Sequence, residues 1–428
     1  MKKYLCFILT AALLLSGCGV QKGSADMENL KITSDSLCVQ KVENLPEDFI
    51  LGMDASCVPA LEAGGVKYYD HAGEEKDVYR ILSENGINYI RVRIWNDPFD
   101  EAGNGYGGGN CDIENAVAIG RRATENGMKL LVNFHYSDFW ADPGKQMVPK
   151  AWRGLDLDSK CEALYAYTRE SLQKLLDAGV NIGMVQIGNE TNGSLCGEAG
   201  DWSRICRLLS AGARAVRETC PEAQVAVHFA NPEIAGSYES YAKHLADHQV
   251  DYDVFASSYY PFWHGSMENL SSLLTKISRT YDKKVMVAET SYAFTAEDSD
   301  FSHNTIGKGN EVQGYPFTVQ GQANLVRDVI DTVANKTENG IGVFYWEGTW
   351  ISAGGKAYAE NSALWEKNGS GWASSYAAQY DPDDAGKWYG GCAVDNQAFF
   401  DWEGHALESL KVFALVWQGN DPAGQTPE

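Results

Sequence analysis

The sequence predicts a single (β/α)8 TIM barrel with long βα loops, and three observations carry that prediction. Eight short, near-continuously apolar runs of strand length alternate with stretches of helical period, as parallel strands covered on both faces do. Glycine punctuates the alternation: Asn85-Gly86, Asn126-Gly127, Ala178-Gly179 and Asn339-Gly340 each close a helix and open a strand, because glycine takes the left-handed conformation that ends a helix at little cost. The two ends of the runs are also unequal. Their carboxyl ends carry Asp54, Arg93, His135, Asn189, Glu190, Tyr260, Glu289 and Trp346, and their starts carry nothing comparable, so the chemistry gathers at one rim. A doubly wound open sheet is the alternative architecture.

Taken in order, Phe49-Ile-Leu-Gly-Met-Asp54 is the first strand, and a helical pattern follows over Asp77 to Asn85. Ile87 to Trp95 alternates as the second strand, with a helix over Ile113 to Asn126. Met128 to His135, the helix Ser159 to Ala178 and the run ending Val185-Gln-Ile-Gly-Asn-Glu190 repeat the unit. The second half continues with helix Trp202 to Thr219, strand Gln224 to Phe229, helix Gly236 to His248 and strand Val254 to Tyr260. Helix Met267 to Tyr281, strand Val285 to Glu289, helix Val319 to Lys336, strand Ile341 to Trp346 and a closing helix His405 to Leu415 complete it.

Upstream of the barrel the chain opens Met1-Lys-Lys, runs apolar from Leu5 to Leu15 and reaches Leu15-Ser-Gly-Cys18. A basic start, an apolar segment too short to span a bilayer and small residues before a cysteine are those of an export signal. The Leu-Ser-Gly-Cys box resembles the lipobox of bacterial lipoproteins, which implies a signal peptide over 1–18, lipidation of Cys18 and an exported, extracytoplasmic protein anchored to a bacterial membrane. Polar, aperiodic residues 19–47 read as a flexible tether, 48–420 as the barrel and 421–428 as a tail. A net charge of −23 disfavours nucleic acid and anionic surfaces as partners. A neutral polymer feels no such penalty, and the chain is expected to act as a monomer. Twelve Trp and 22 Tyr are an ample supply of faces for sugar rings, although most will pack in the core. The cysteines beyond Cys18 show no CxxC spacing, so zinc or redox chemistry is not indicated.

Two glutamates, Glu190 and Glu289, end two separate buried runs. A retaining glycosidase needs such a pair, one as acid/base and one as nucleophile, with carboxyl groups about 5 to 5.5 Å apart. Glu190 is assigned acid/base and Glu289 nucleophile. Asn189 is positioned for the sugar 2-hydroxyl, and Tyr260 and Arg93 are expected to keep the nucleophile ionised; Arg91 is assigned to the opposite strand face. His135 is a candidate contact to substrate or to the acid/base, and Asp54 ends the first strand beside them. Trp346 is expected to floor a subsite, with Trp95, Trp140 and Trp263 in loops beyond the strand ends.

Gly52-Met-Asp54, Arg91-Val-Arg-Ile-Trp-Asn-Asp-Pro98, Asn133-Phe-His-Tyr-Ser-Asp-Phe-Trp140, Gln186-Ile-Gly-Asn-Glu190, Ser258-Tyr-Tyr-Pro-Phe262 and Ala288-Glu-Thr290 arrive in one order along nearly the whole barrel. Together they resemble the endo-β-1,4-galactanases of glycoside hydrolase family 53. The resemblance implies hydrolysis, with retention, of internal β-1,4-galactosyl bonds in the (arabino)galactan side chains of pectin, and it places acid/base and nucleophile on the same two glutamates. Galactose rather than another sugar rests on that likeness. The resemblance also implies Ca2+ tying the loop after the seventh strand to the loop after the eighth. Glu297 to Thr305 is similar to the first of these, with Asp298, Asp300 and Asn304 as implied ligands and Asp395, in Gly390-Gly-Cys-Ala-Val-Asp395, opposite. The chain departs from the pattern at Ser302, where a His is expected, and at Cys392, where a Ser is expected and a backbone carbonyl serves. The alternatives are a barrel hydrolase of the same clan acting on another β-1,4-glycan and a sugar-binding lipoprotein.

Overall fold

The computed structural model describes residues 32–354, 357–387 and 390–422. The signal segment with Cys18, residues 19–31 of the expected tether and residues 423–428 of the tail lie outside the described residues. Eight parallel strands form a closed barrel: β1 (Ile50–Asp54), β2 (Tyr89–Ile94), β3 (Lys129–Phe134), β4 (Ile182–Ile187), β5 (Gln224–Phe229), β6 (Val254–Ser258), β7 (Lys284–Thr290) and β8 (Gly340–Tyr345), with β8 pairing back onto β1. Helices α1 (Val58–Ala63) and α2 (Val78–Glu84) follow β1, and α3 (Ile113–Glu125), α4 (Leu157–Asp177), α5 (Trp202–Thr219), α6 (Ser237–Asp247), α7 (Met267–Tyr281) and α8 (Val319–Asn335) join successive strands. After β8 come α9 (Tyr358–Asn368), α10 (Pro382–Lys387) and α11 (Val412–Gln418). Asp77, Asp112, Asp156, Asp201, Ser266 and Thr318 cap their helices by accepting first-turn N–H groups.

Side chains on each strand divide between two layers. Val92, Val132, Val185, Val227 and Phe255 pack outward against the helices, while Ile50, Leu131, Met184, Ala226, Ala256 and Phe344 fill the barrel interior. Above that apolar floor the inward positions turn polar, at Asp54, Arg91, Arg93, Asn133 and Gln186, all buried. The strand directions therefore lift the polar layer to the carboxyl rim.

Three expectations need correction. The helix stops are left-handed at Gly86, Gly127 and Gly179, but in the fourth pair the left-handed residue is Asn339, with φ of 53°. Gly340 is instead required by space, since a Cβ there would lie 2.0 Å from the Val333 carbonyl oxygen. The closing helix is shorter and later than His405 to Leu415, a 3-10 turn over Glu408–Lys411 leading into α11. Residues 32–47 are no tether. Leu37, Val39 and Val42 are buried, Val39 and Asn420 exchange backbone hydrogen bonds at 2.8 Å, and Val42 N–H donates to the Val416 carbonyl at 2.8 Å. Apolar side chains too few to show a period still anchor this segment on α11. Cys57, Cys111, Cys161, Cys196, Cys206, Cys220 and Cys392 are buried thiols, and among the described residues no helix is long and apolar enough to cross a membrane.

Candidate active site

At the carboxyl ends of the strands a cavity of about 290 Å³ gathers Asp54, Arg93, His135, Trp140, Asn189, Glu190, Tyr260, Trp263, Glu289 and Trp346. Of the side chains expected at the substrate, Trp95 alone is absent from its wall. Arg91, Asn133, Phe262, His264 and Trp372 line it as well and were not anticipated.

Glu289 reaches the cavity through an irregularity of β7. Val285 and Val287 pack outward and Met286 and Ala288 inward, so strict alternation would turn Glu289 away. The register slips instead: Ser257 pairs with Val287, but Ser258 pairs with Glu289, and on the other side Val343 pairs with Val287 and Tyr345 with Thr290. The extra residue is a bulge that re-aims the carboxylate inward. There Arg91 Nη2 lies 2.8 Å from Glu289 Oε1, and Tyr260 Oη donates to Oε2 at 2.9 Å. Burial raises the carboxyl above its ordinary value, and Arg91 and Tyr260 pull it back.

The cation beside Glu289 is thus Arg91, not Arg93. Residues two apart on a strand share a face, so both arginines point inward, and Arg91 is the one at the height of the nucleophile. It also donates to Asp54 Oδ2 at 3.0 Å, Asn189 Oδ1 at 2.9 Å and Gln186 Oε1 at 3.2 Å. Arg93 stands one layer nearer the rim. It pairs with Glu347, donates to the Gly108 carbonyl at 2.7 Å and lies 4.3 Å over the Trp140 ring. Glu347 is buried, has a φ of 49°, and is pushed up to about 8 by burial against the pull of Arg93.

Glu190 has a different setting. The chain leaves β4 through Gly188 and Glu190, both at positive φ, a strained exit that presents Asn189 and Glu190 to the cavity together. No guanidinium bonds Glu190 among the described residues; Ser258 Oγ donates to its Oε1 at 2.5 Å. Burial first, and the Glu289 charge second, push it well above the ordinary carboxylate range. Asn189 Oδ1 accepts from Arg91, Asn133 and Gln186, and its Nδ2 donates to the Ala141 carbonyl at 2.9 Å, which leaves one amide hydrogen for the cavity.

His135 Nδ1 accepts from Trp95 Nε1 and from the Ala141 N–H, each at 3.2 Å, so its proton sits on Nε2. Burial and the two arginines hold it well below its ordinary value, hence neutral. Trp95 is fully buried against Phe139 and Trp140: it supports His135 from behind and cannot meet a substrate. Trp140 stacks on Trp372 at 4.5 Å, with Trp346 beside them, and Trp263 is 52% exposed at the mouth.

The implied calcium ligands form a separate group. Ser352 Oγ lies 2.6 Å from Asp300 Oδ2 and 3.2 Å from Asp395 Oδ2, so two carboxylates face each other. Burial raises both, Asp395 to about 6. Asn304 Nδ2 donates to Asp395 Oδ1 at 2.8 Å, while the buried Asn304 Oδ1 has no hydrogen-bond partner. Ser302 and Cys392 give backbone N–H groups to Asp300, and Asp298 accepts from the Asn304 N–H. Among the described residues no three His, Cys, Asp or Glu side chains form a metal cluster. Two carboxylates that accept hydrogen bonds but face no cation among the described residues, and an orphaned carbonyl oxygen, are nonetheless a hard oxygen donor set that suits Ca2+.

The family model described as Glycosyl hydrolase family 53 matches residues 50–413. The chain is 55% identical over 427 residues to the endo-beta-1,4-galactanase of Bacillus subtilis (strain 168), covering 99% of each. It is 34% identical over 337 residues to the arabinogalactan endo-beta-1,4-galactanase of Cellvibrio japonicus (strain Ueda107), covering 76% of this chain and 86% of that one. The solved Ignisphaera aggregans GH53 catalytic domain superposes with a TM-score of 0.80 at 39% identity, over 89% of this chain and 100% of that one. Because the family match runs from β1 into α11 and takes in every strand that supplies the cavity, the chain is a glycoside hydrolase and belongs to glycosyl hydrolase family 53.

Proposed function

We propose that the protein is an endo-β-1,4-galactanase that cleaves internal galactosyl bonds of (arabino)galactan with retention, Glu190 acting as acid/base and Glu289 as nucleophile. One observation carries the mechanism: two carboxyls in one cavity have opposite settings, Glu289 beside a guanidinium and a phenol, Glu190 without a cation. Environments that push two acids apart assign them opposite roles. Glu289 attacks the anomeric carbon while Glu190 gives its proton to the leaving oxygen; water then enters, loses a proton to Glu190 and releases Glu289. The spare amide hydrogen of Asn189 serves the sugar 2-hydroxyl, the Nε2–H of His135 another hydroxyl, and Trp346, Trp372 and Trp263 offer ring faces along the cleft. Galactan as substrate is supported by the names of the Bacillus and Cellvibrio relatives.

Export and a lipid anchor at Cys18 are supported by the basic start, the apolar run and the Leu-Ser-Gly-Cys box. Asp300, Asp395 and Asn304 would hold Ca2+ together with carbonyl oxygens, fastening the loops after β7 and β8; the ion is structural and takes no part in the reaction.

Reducing ends released from linear β-1,4-galactan, mannan, xylan and glucan test the substrate. Release from galactan alone is expected, and release from another glycan in its place overturns it. Azide tests the mechanism: Glu289→Ala should yield the α-galactosyl azide and Glu190→Ala the β-azide, and an exchanged pattern reverses the two roles.

A further inference from the structure

The two oxygens of Glu190 are unequal. Oε1 accepts from Ser258 Oγ, while Oε2 takes no hydrogen bond among the described residues and Glu190 lines the cavity. Ser258 is the last residue of β6 and the register partner of Glu289, yet its hydroxyl is spent on the other glutamate. What makes it donate in that direction stands behind it. His228, inward on β5 and fully buried, places Nε2 3.0 Å from Ser258 Oγ.

The tautomer of His228 follows from its other nitrogen. The backbone N–H of Glu190 donates to Nδ1 at 3.4 Å, and Gln186 Nε2 lies 3.0 Å away. A backbone N–H has no acceptor form, so Nδ1 presents a lone pair. Asn189 Oδ1, 3.1 Å from the same nitrogen, already accepts from Arg91 and Asn133. Burial and the Arg91 charge hold the ring neutral. The proton of His228 is therefore on Nε2 and aimed at Ser258 Oγ, which fills an acceptor position of the hydroxyl and turns its hydrogen to Glu190.

We propose that Ser258, held as a donor by His228, is a positioning residue that keeps Glu190 Oε1 occupied and so confines the transferable proton to Oε2, the oxygen facing the glycosidic bond. The proposal rests on Glu190 being the acid/base. As Oε2 gives its proton to the leaving oxygen, the charge left on the carboxylate is met at Oε1 by a donor already in place, with nothing to reorient. When water attacks, its proton returns to Oε2. Ser258 and His228 keep their own protons throughout.

Ser258→Ala tests this. The other groups that act on Glu190, namely Glu289, Asp142 and Arg91 and the phenols of Tyr260 and Tyr238, remain. Losing a donor to the ionised form raises the acid, so the alkaline limb of kcat/KM should move up by about one unit. On galactan kcat/KM should fall roughly tenfold. A dinitrophenyl β-galactobioside, whose leaving group needs no proton, should lose several-fold less than galactan does. Ser258→Cys, nearly isosteric but a poor donor, should move the limb the same way, and Ser258→Thr should restore it. An unmoved limb with equal losses on both substrates, in either the Ala or the Cys variant, overturns the proposal. Glu190→Gln separates the two levels: if it too loses equally on both substrates, the acid/base assignment fails; if its loss depends on the leaving group and that of Ser258→Ala does not, only the role of Ser258 fails.

Discussion

Replacing Arg91 by Met removes the guanidinium from Glu289 while keeping an unbranched apolar stem about as long as that of Arg up to Nε. In the folded protein Arg91 is 1% exposed and lies 2.8 Å from Glu289 Oε1 and 3.0 Å from Asp54 Oδ2. A guanidinium at that range lowers a carboxyl by about one to three units, each worth about 1.4 kcal/mol. Burial already pushes Glu289 upward, so the loss adds to an existing bias towards the neutral acid, which is no nucleophile. The acid limb of kcat/KM on linear galactan should therefore rise by about one to three units, and below it activity should fall about tenfold per unit. Asp54 loses the nearer of its two arginines as well, and breaking a buried pair costs about 3 to 5 kcal/mol, so the melting temperature should drop by several degrees. Arg93→Met is the control. It removes a buried guanidinium from the same polar layer, but one that meets Asp54 and Glu347 rather than the nucleophile, so the acid limb should stay in place. An unmoved limb in Arg91→Met, or an equal movement in Arg93→Met, refutes the assignment of Arg91 to the nucleophile.

Two further outcomes follow from buried acids away from the reacting pair. If Ca2+ binds at Asp300, Asp395 and Asn304, a chelator should lower the melting temperature, since an ion at a hundred times its Kd adds about 2.7 kcal/mol; Asp395→Asn should abolish the difference, the effect should shrink below pH 6 as Asp395 protonates, and identical melts with and without chelator exclude an occupied site. Glu347 is raised to about 8 in the fold, so the native state holds a proton that the unfolded chain has released between its ordinary value and pH 8; stability from this group is complete at acid pH and is lost as pH rises through about 8. Glu347→Gln should flatten the decline in melting temperature over that window, and an equal slope in the variant assigns the decline to other groups.

The framework was legible because it is written in short-range terms. Apolar runs of strand length, helix stops at Gly86, Gly127 and Gly179, and polar residues confined to one end of each run are local features, and a closed barrel turns that end into a single rim. Glu190 and Glu289 could be singled out for the same reason, as carboxylates that an apolar run has no use for. What escaped was set by register between strands. The choice of Arg93 over Arg91 failed on alternation itself, which puts both on one face, and only the height of β2 against its neighbours separates a guanidinium at the nucleophile from one at Glu347. Glu289 faces inward because of one extra residue in β7, and nothing in Val285-Met-Val-Ala-Glu289 announces a bulge. Trp95 looked like a cleft residue from its place just past a strand, yet the loop carrying Phe139 and Trp140 folds over it. Trp372 reaches the wall from a segment well beyond β8. The same logic explains why Ser258, though part of the Ser258-Tyr-Tyr-Pro-Phe262 motif, was given no role: a serine at a strand end has no chemistry of its own, and it acquires one here because a histidine on β5 and a glutamate just past β4 stand on either side of its hydroxyl. A pattern of residue types can therefore nominate the acids that react, whereas the groups that decide how each acid is ionised belong to layers across the barrel and become visible only when its register is known.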